Sequence, residues 1–298
     1  MDNTLNTPIE TTLALDRPTM LEKTPRSFTA KLGEWLSGIM GIGAYIFLYV
    51  PIILLVIFSF NDSRYSQRWE GFTLRWYIEL FQDAAIGRAL WATLLVAVVS
   101  TLIATVLGTL VAIGMERFRF RGQTAVETLL YLPIVIPDIV MALMMLLFFT
   151  MLQGWLGDWF RLGPVTVIIA HVAFNISYVA VVVRARMASY DNTLEEAAAD
   201  LYANPWLTFW RVTFPILAPG ILAGALLAFT LSLDDAVITS FVTGPGFTTL
   251  PVRILGQAKR GITPLINALS TMMLLVSMVL LTVSLWSQRD TAKRGDLV

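Results

Sequence analysis

Residues 195–220 read E-E-A-A-A-D-L-Y-A-N-P-W-L-T-F-W-R-V-T-F-P-I-L-A-P-G, a polar, patterned insert between two apolar runs of membrane length. Asp191, Asn192 and Thr193 offer capping oxygens just ahead of it. Glu195, Glu196, Ala197, Ala198, Ala199, Asp200 and Leu201 favour helix, and Asn204-Pro205 turns the chain. A second short helix is expected over 206–212, with Pro215 and Pro219 ending it. The pattern predicts a helix–turn–helix lying along a membrane face. A rigid knob with acidic residues on its first arm suits a socket on a soluble partner; a featureless linker would not need this patterning.

Composition sets the frame around that insert. The chain has 298 residues, 56% hydrophobic and 14% charged, with mean hydropathy +0.71. Soluble domains carry about 25% charged residues, so there is too little charge to cover a globule of this size. The fold class that follows is an all-α polytopic membrane protein seated in a lipid bilayer. Lys plus Arg and Asp plus Glu both number 21, so no basic excess points to nucleic acid. The chain has no Cys and one His, which removes disulfides, cysteine catalysis and thiolate metal sites and leaves no metal centre in view. No G-x-x-x-x-G-K-[ST] occurs, so any ATP would be bound by a partner.

Spanning about 30 Å of hydrocarbon takes roughly 20 helical residues. Stretches 38–60, 88–114, 125–150, 164–186, 220–243 and 264–286 meet that length, which predicts six transmembrane helices. Pro133 and Pro137 predict a kink in the third. Residues 1–37 lack the apolar core of a signal peptide and read as a cytoplasmic tail, with a transmembrane domain over 38–286 and a second cytoplasmic tail over 287–298. Lys and Arg placement favours both termini inside, with the short E-R-F-R-F-R-G loop (116–122) the strongest local signal. On the opposite side, Leu74, Tyr77, Ile78 and Phe81 recur at helical spacing and predict an interfacial helix.

The insert resembles the E-A-A-x-x-x-G-x(9)-I-x-L-P loop of binding-protein-dependent ABC importer permeases. Glu196, Ala197 and Ala198 match its start; Val212, Phe214 and Pro215 match its end. Tyr202 stands where that family has Gly, so either Tyr202 takes a left-handed conformation or the turn moves to Asn204. L-R-W-Y-x-x-L at 74–80, Pro137-Asp138, and F-T-L-S-L-D-D-A-V-I-T-S-F-V-T-G-P-G-F-T-T-L-P at 229–251 are similar to the spermidine/putrescine subfamily. The resemblance implies the six-helix type I permease fold in a bacterial inner membrane. It also implies a second permease subunit, two ATPase subunits that bind ATP and Mg, and an extracytoplasmic substrate-binding protein. A coupling loop over about 187–219 would dock on an ATPase through Glu195, Glu196, Ala197, Ala198, Asp200, Tyr202 and Pro215. This chain would need no cofactor and catalyse nothing.

Two carboxylates interrupt the fifth apolar stretch. Facing lipid, Asp234 and Asp235 would together cost about 5–7 kcal/mol, so they are expected to face the interior or water. Gly224, Ala228, Ser232, Asp235 and Thr239 share one helical face, with Asp234 about 100° away. A polyamine carries ammonium groups on an apolar chain, and needs anionic or aromatic partners when it leaves water. Asp234, Asp235, Asp138, Ser232, Tyr178 and Asn175 are the expected pathway residues, His171 sharing a face with the last two. The plainer alternative has one Asp pairing with Arg or capping a helix break.

The leading function is therefore a permease subunit for putrescine or spermidine. Its rivals are a related importer of iron, phosphonate or opine, and an ion-coupled secondary transporter. An intramembrane enzyme finds no support, because no carboxylate lies within one turn of His171.

Overall fold

The computed structural model describes residues 28–63, 68–188, 190–191, 193–261 and 263–295. The chain divides into two compact units, Met1–Ile53 and Leu54–Val298. In the first, the described residues belong to α1 (Phe28–Phe58), where Tyr45 and Tyr49 stack at 6.1 Å. Of the expected tail 1–37, residues 1–27 lie outside the described residues, and helix begins at Phe28.

The second unit holds the remaining helices: α2 (Arg75–Gln82), α3 (Ala84–Arg117), α4 (Gln123–Val135), α5 (Asp138–Leu156), α6 (Pro164–Met187), α7 (Thr193–Asp200), α8 (Pro205–Thr208), α9 (Phe214–Asp234), α10 (Val237–Val242), α11 (Leu250–Ala258) and α12 (Pro264–Gly295). Among the described residues, five helical segments are long and apolar enough to cross a membrane: Trp35–Phe58, Ala84–Arg117, Asp138–Leu156, Pro164–Met187 and Pro205–Asp234. Pro264–Val279 is a shorter apolar stretch inside α12, and α12 itself continues well beyond residue 286.

Two expected spans are broken. The 125–150 stretch is α4 and α5, separated at Ile136-Pro137, because Pro disfavours α conformation in the residue before it; Ile136 is extended at ψ 133°. The 220–243 stretch starts earlier, at α9, and stops at Asp235, which is extended at ψ 120°. The proline reading of the insert also changes. Pro215 opens α9 and Pro219 lies within it, rather than ending the preceding helix. Pro is tolerated in a first turn, where its missing N–H has no partner to lose. A five-residue π turn, Phe209–Thr213, joins α8 to α9.

Helices α3, α6 and α9 pack face to face through small residues. Ala104, Ala112, Ala180, Val183, Gly220 and Ala228 are all buried along that seam. Gly108 marks the closest approach: a Cβ there would sit 2.8 Å from Val179 Cβ and 2.9 Å from the Ile176 carbonyl oxygen. A Cβ at Gly224 of α9 would sit 3.3 Å from Val179 Cα. Lipid tails are as apolar as Leu, so close backbone approach and dispersion hold such helices together. Asp83 caps α3, accepting from the Ala85 and Ile86 amides at 2.7 and 3.3 Å. Helix α2 is amphipathic, with one face on the bundle and the apolar residues singled out in the sequence mostly off it. Trp76 and Leu80 are buried, while Leu74, Ile78 and Phe81 are exposed. Trp76 Nε1 fixes that face by donating to the Asn61 carbonyl at 2.7 Å.

The insert forms a two-helix elbow. Asp191 Oδ1 accepts from the Thr193 amide at 2.9 Å to open α7. Tyr202 takes the left-handed position itself, at φ 60°. Its amide bonds the Ala199 carbonyl at 2.9 Å, and the Ala203 amide reaches back to Ala198 at 3.0 Å, the Schellman pattern. Asn204 does a different job: it caps α8, its side chain accepting from the Leu207 amide at 2.7 Å.

Three outcomes are expected. Gly108→Ala lowers the thermal midpoint of the purified protein in detergent, since overpacking of this kind costs about 1–3 kcal/mol. Gly114→Ala, whose Cβ meets open space, leaves the midpoint level or slightly higher. Tyr202→Gly relieves roughly 1 kcal/mol of backbone strain, read as slower proteolysis at the elbow; faster cleavage would show that the turn does not depend on that residue's conformation.

Candidate functional site

The break at the end of α9 organises a buried polar cluster. With the helix stopped at Asp234, the first amides of α10 lose their intrahelical partners. Asp235 replaces them: Oδ1 accepts from the Ile238 amide at 3.1 Å, and Oδ2 accepts from the Thr239 amide at 2.8 Å and from Thr239 Oγ1 at 2.7 Å. His171 of α6, 1% exposed, stands behind. Its Nε2 lies 2.8 Å from Thr239 Oγ1 and 3.3 Å from Asp235 Oδ2, and its Nδ1 lies 2.6 Å from Ser232 Oγ. Ser232 Oγ is in turn 3.0 Å from Ser100 Oγ of α3. Four segments thus share one chain of hydrogen bonds.

In front of this cluster is a cavity of about 300 Å³. Asp138, Tyr178, Asp234 and Asp235 line it, with Phe174, Pro133, Met141, Leu231 and the apolar residues Ala236, Val237 and Ile238. Asp138 and Asp234 are exposed there, whereas Asp235 is mostly buried. The expected single helical face of Ser232, Asp235 and Thr239 does not exist, because the helix ends between the first and second of them. Ser232 is buried and bonded to His171, and Asn175 is fully buried with neither amide atom partnered among the described residues. Neither residue lines the cavity. Phe174 and Met141 carried no signal of their own in the sequence, being apolar residues in apolar runs, and Pro133 read only as a kink. The contact of His171 with Asp235 links positions 64 apart, which no local spacing reveals.

The elbow lies at the other end of the same helices. Along α9, Thr213 and Asp234 are separated by about 30 Å at 1.5 Å per residue. Glu195 turns inward there: its Oε1 accepts from Arg117 in the last turn of α3, from Tyr190 Oη at 2.7 Å and from Thr213 Oγ1 at 2.5 Å. Burial acts to raise the Glu195 carboxyl. The bonds from Thr213 and Tyr190 and the Arg117 charge outweigh it, so the carboxyl is held below the usual carboxylate range. Burial, with the bond to Glu195, raises the Tyr190 phenol. Nearby, Arg184 of α6 bonds Glu116 of α3 at 2.8 Å and Glu127 of α4 at 3.0 Å.

Of the residues expected to face a partner, Glu196, Ala197, Asp200, Tyr202 and Pro215 are exposed, Ala198 is half-buried, and Glu195 is spent inside. Tyr202 is 98% exposed, and Leu201 and Trp206 stand beside it as exposed apolar groups. The outward surface of the elbow is therefore two carboxylates around an apolar knob. Among the described residues no cluster of His, Asp and Glu could hold a metal ion.

Residues 104–294 match the family described as binding-protein-dependent transport system inner membrane component. The chain is 43% identical over 244 residues to the putrescine transport system permease protein PotI of Escherichia coli strain K12, covering 80% of this chain and 85% of that one. It is 38% identical over 262 residues to the spermidine/putrescine transport system permease protein PotC of the same strain, covering 88% and 97%. Among solved structures it is similar to a bacterial ABC transporter involved in the import of the acidic polysaccharide alginate, with TM-score 0.68 and 21% identity over 89% of this chain and 99% of that one. It is also similar to an inward-facing form of the MetNI methionine ABC transporter, with TM-score 0.56 and 16% identity over 68% and 94%. These two likenesses are of fold. With the family match and the permease relatives together, this chain belongs to the binding-protein-dependent transport system inner membrane components, multi-pass permease subunits of ABC importers that are not enzymes.

Proposed function

We propose that this chain is one of two permease subunits of an ATP-driven importer that carries polyamines, putrescine or spermidine, into the cytoplasm. The observation that carries the reading is the cavity at the α9 break, where Asp138, Asp234 and Asp235 meet the rings of Phe174 and Tyr178 inside an otherwise apolar bundle. Carboxylates suit ammonium groups, and ring faces and methylenes suit the hydrocarbon between them. A phosphonate or another anion would meet only repulsion there. The permease relatives with putrescine and spermidine in their names favour the same substrate class.

Within the cavity the three carboxylates divide the work. Asp235 spends both oxygens on α10 and His171. Among the described residues no other residue bonds the Asp234 or Asp138 carboxylate, which leaves both to meet a passing cation, and Asp235 keeps the break in shape. Ser232 and Asn175 act behind the lining. Two ATPase subunits supply the power, binding ATP and Mg themselves, and a binding protein outside the membrane delivers the substrate. Both termini and the elbow then lie in the cytoplasm, in keeping with the Arg-rich α3–α4 loop. Glu196, Asp200 and Tyr202 present the face on which an ATPase docks. One observation favours a second reading, an ion-coupled transporter working alone: the buried His171–Asp235 pair, 3.3 Å apart, is a group such a protein could protonate.

In the reconstituted transporter, Asp234→Asn and Asp138→Asn each reduce polyamine uptake about tenfold, the loss of one charge-assisted contact of about 1.5–3 kcal/mol. Asp235→Asn instead lowers the amount of folded protein. Full uptake by both of the first two variants would remove the cavity from the substrate's path. Glu196→Arg abolishes uptake while the chain still inserts in the membrane. Uptake that persists without any ATPase subunit would favour the ion-coupled reading.

A further inference from the structure

The geometry points to Glu195 as a latch that ties the elbow to α3 and α9, so that the elbow's displacement moves both helices rather than bending its own linker. The inference rests on the import reading above and adds a transmission element to it. It also parts the two neighbouring glutamates: Glu196 is exposed, while Glu195 faces the bundle.

Three elements converge on one carboxylate. Arg117 lies in the last turn of α3, Tyr190 in the segment leaving α6, and Thr213 at the residue before α9. All three donate to Glu195 Oε1, and Arg117 Nη2 also reaches Thr213 Oγ1 at 3.3 Å. Several donors on one partly buried ion hold it more firmly than an exposed pair, because water competes less. Arg184, a second cation in an ion pair at this end, is taken by Glu116 and Glu127, while Glu196 and Asp200 stay at the surface. Arg117 and Glu195 are thus committed to each other.

Of the fastened helices, α9 reaches the cavity and α3 reaches the polar cluster behind it. Helix α3 runs from Arg117 to Ser100, about 25 Å away, and Ser100 bonds Ser232 beside His171. Helix α9 runs from Thr213 to Asp234 in the cavity wall. The π turn at Phe209–Thr213, next to the latch, is a five-residue irregularity of the kind that recurs at functional sites. Because the Glu195 carboxyl is held below its usual range, the latch is intact at neutral pH and is lost as pH falls through that depressed value.

The test uses the assembled transporter with its ATPase and binding-protein partners, measuring uptake and ATP hydrolysis side by side. Glu195→Gln and Arg117→Met each cut uptake about tenfold while ATP hydrolysis and subunit assembly persist. The double variant is no worse than either single one, as two halves of one contact require. Charge reversal in the pair, Arg117→Glu with Glu195→Arg, recovers part of the uptake that Arg117→Glu alone abolishes. Losses that multiply in the double variant, or ATPase subunits that dissociate from Glu195 variants alone, overturn the latch and make Glu195 a partner contact. If Glu195→Gln does not accumulate, Tyr190→Phe and Thr213→Val, each removing one neutral donor, carry the same test with smaller effects. Amide exchange across 193–213 gives a readout independent of substrate: faster exchange in the variants is expected, and unchanged exchange overturns the latch. A wild-type transporter that hydrolyses ATP but moves no polyamine counts against the substrate reading and leaves the exchange result to decide the latch.

Discussion

Asp235 holds together a helix that stops inside an apolar bundle. A membrane interior has no water for backbone amides, and each unsatisfied one costs several kcal/mol. The stop at Asp234 frees the leading amides of α10, and two of them are taken by one carboxylate. The carboxylate is itself supported by Thr239 and by His171, which is held through Ser232 to Ser100 on another helix. Once that support is in place, an irregular backbone can line a cavity instead of being excluded from the membrane. The second break, at Ile136-Pro137, brings Asp138 to the same cavity. Both interruptions therefore serve one space.

The sequence made the apolar stretches, the elbow and the carboxylates readable, because each is written in local composition. Length and hydropathy marked the spans, and Asn204-Pro205 marked the turn. What was not readable depended on partners far along the chain. Asp235 is the exception: its spacing puts it on a continuous helical face, with capping of a helix break as the alternative, and the alternative holds, since it accepts from amides three and four residues ahead. Ser232 and Asn175 fell on the expected faces yet lie behind the cavity wall, because their neighbours on α3, α6 and α9 close over them. Which face of α2 meets the bundle was not readable either, because the Asn61 carbonyl that holds Trp76 lies outside the helix.

The elbow shows the same division. Two adjacent glutamates read alike in sequence, but at about 100° apart on a helix they cannot face the same way. One meets Arg117 and the other meets solvent. Tyr202 keeps the left-handed turn that Gly would adopt more cheaply, and it carries an almost fully exposed ring to the tip of the elbow. Strain retained at an exposed position is the kind of feature that surrounding structure keeps for contact rather than for stability. The small-residue seam of α3, α6 and α9 connects this tip to the cavity, and its close contact at Gly108 leaves those helices little freedom to move separately.

The central claim is that a polyamine passes through the cavity at the α9 break and is met by Asp234 and Asp138 while Asp235 stays engaged with α10. An electron cryo-microscopy map of the assembled transporter with polyamine bound tests it most directly. The account predicts elongated density in that cavity, with an end group within hydrogen-bond reach of Asp234 or Asp138 and the His171–Asp235–Thr239 cluster unchanged. Density elsewhere in the bundle, or Asp235 turned away from α10 to hold the ligand, would contradict it.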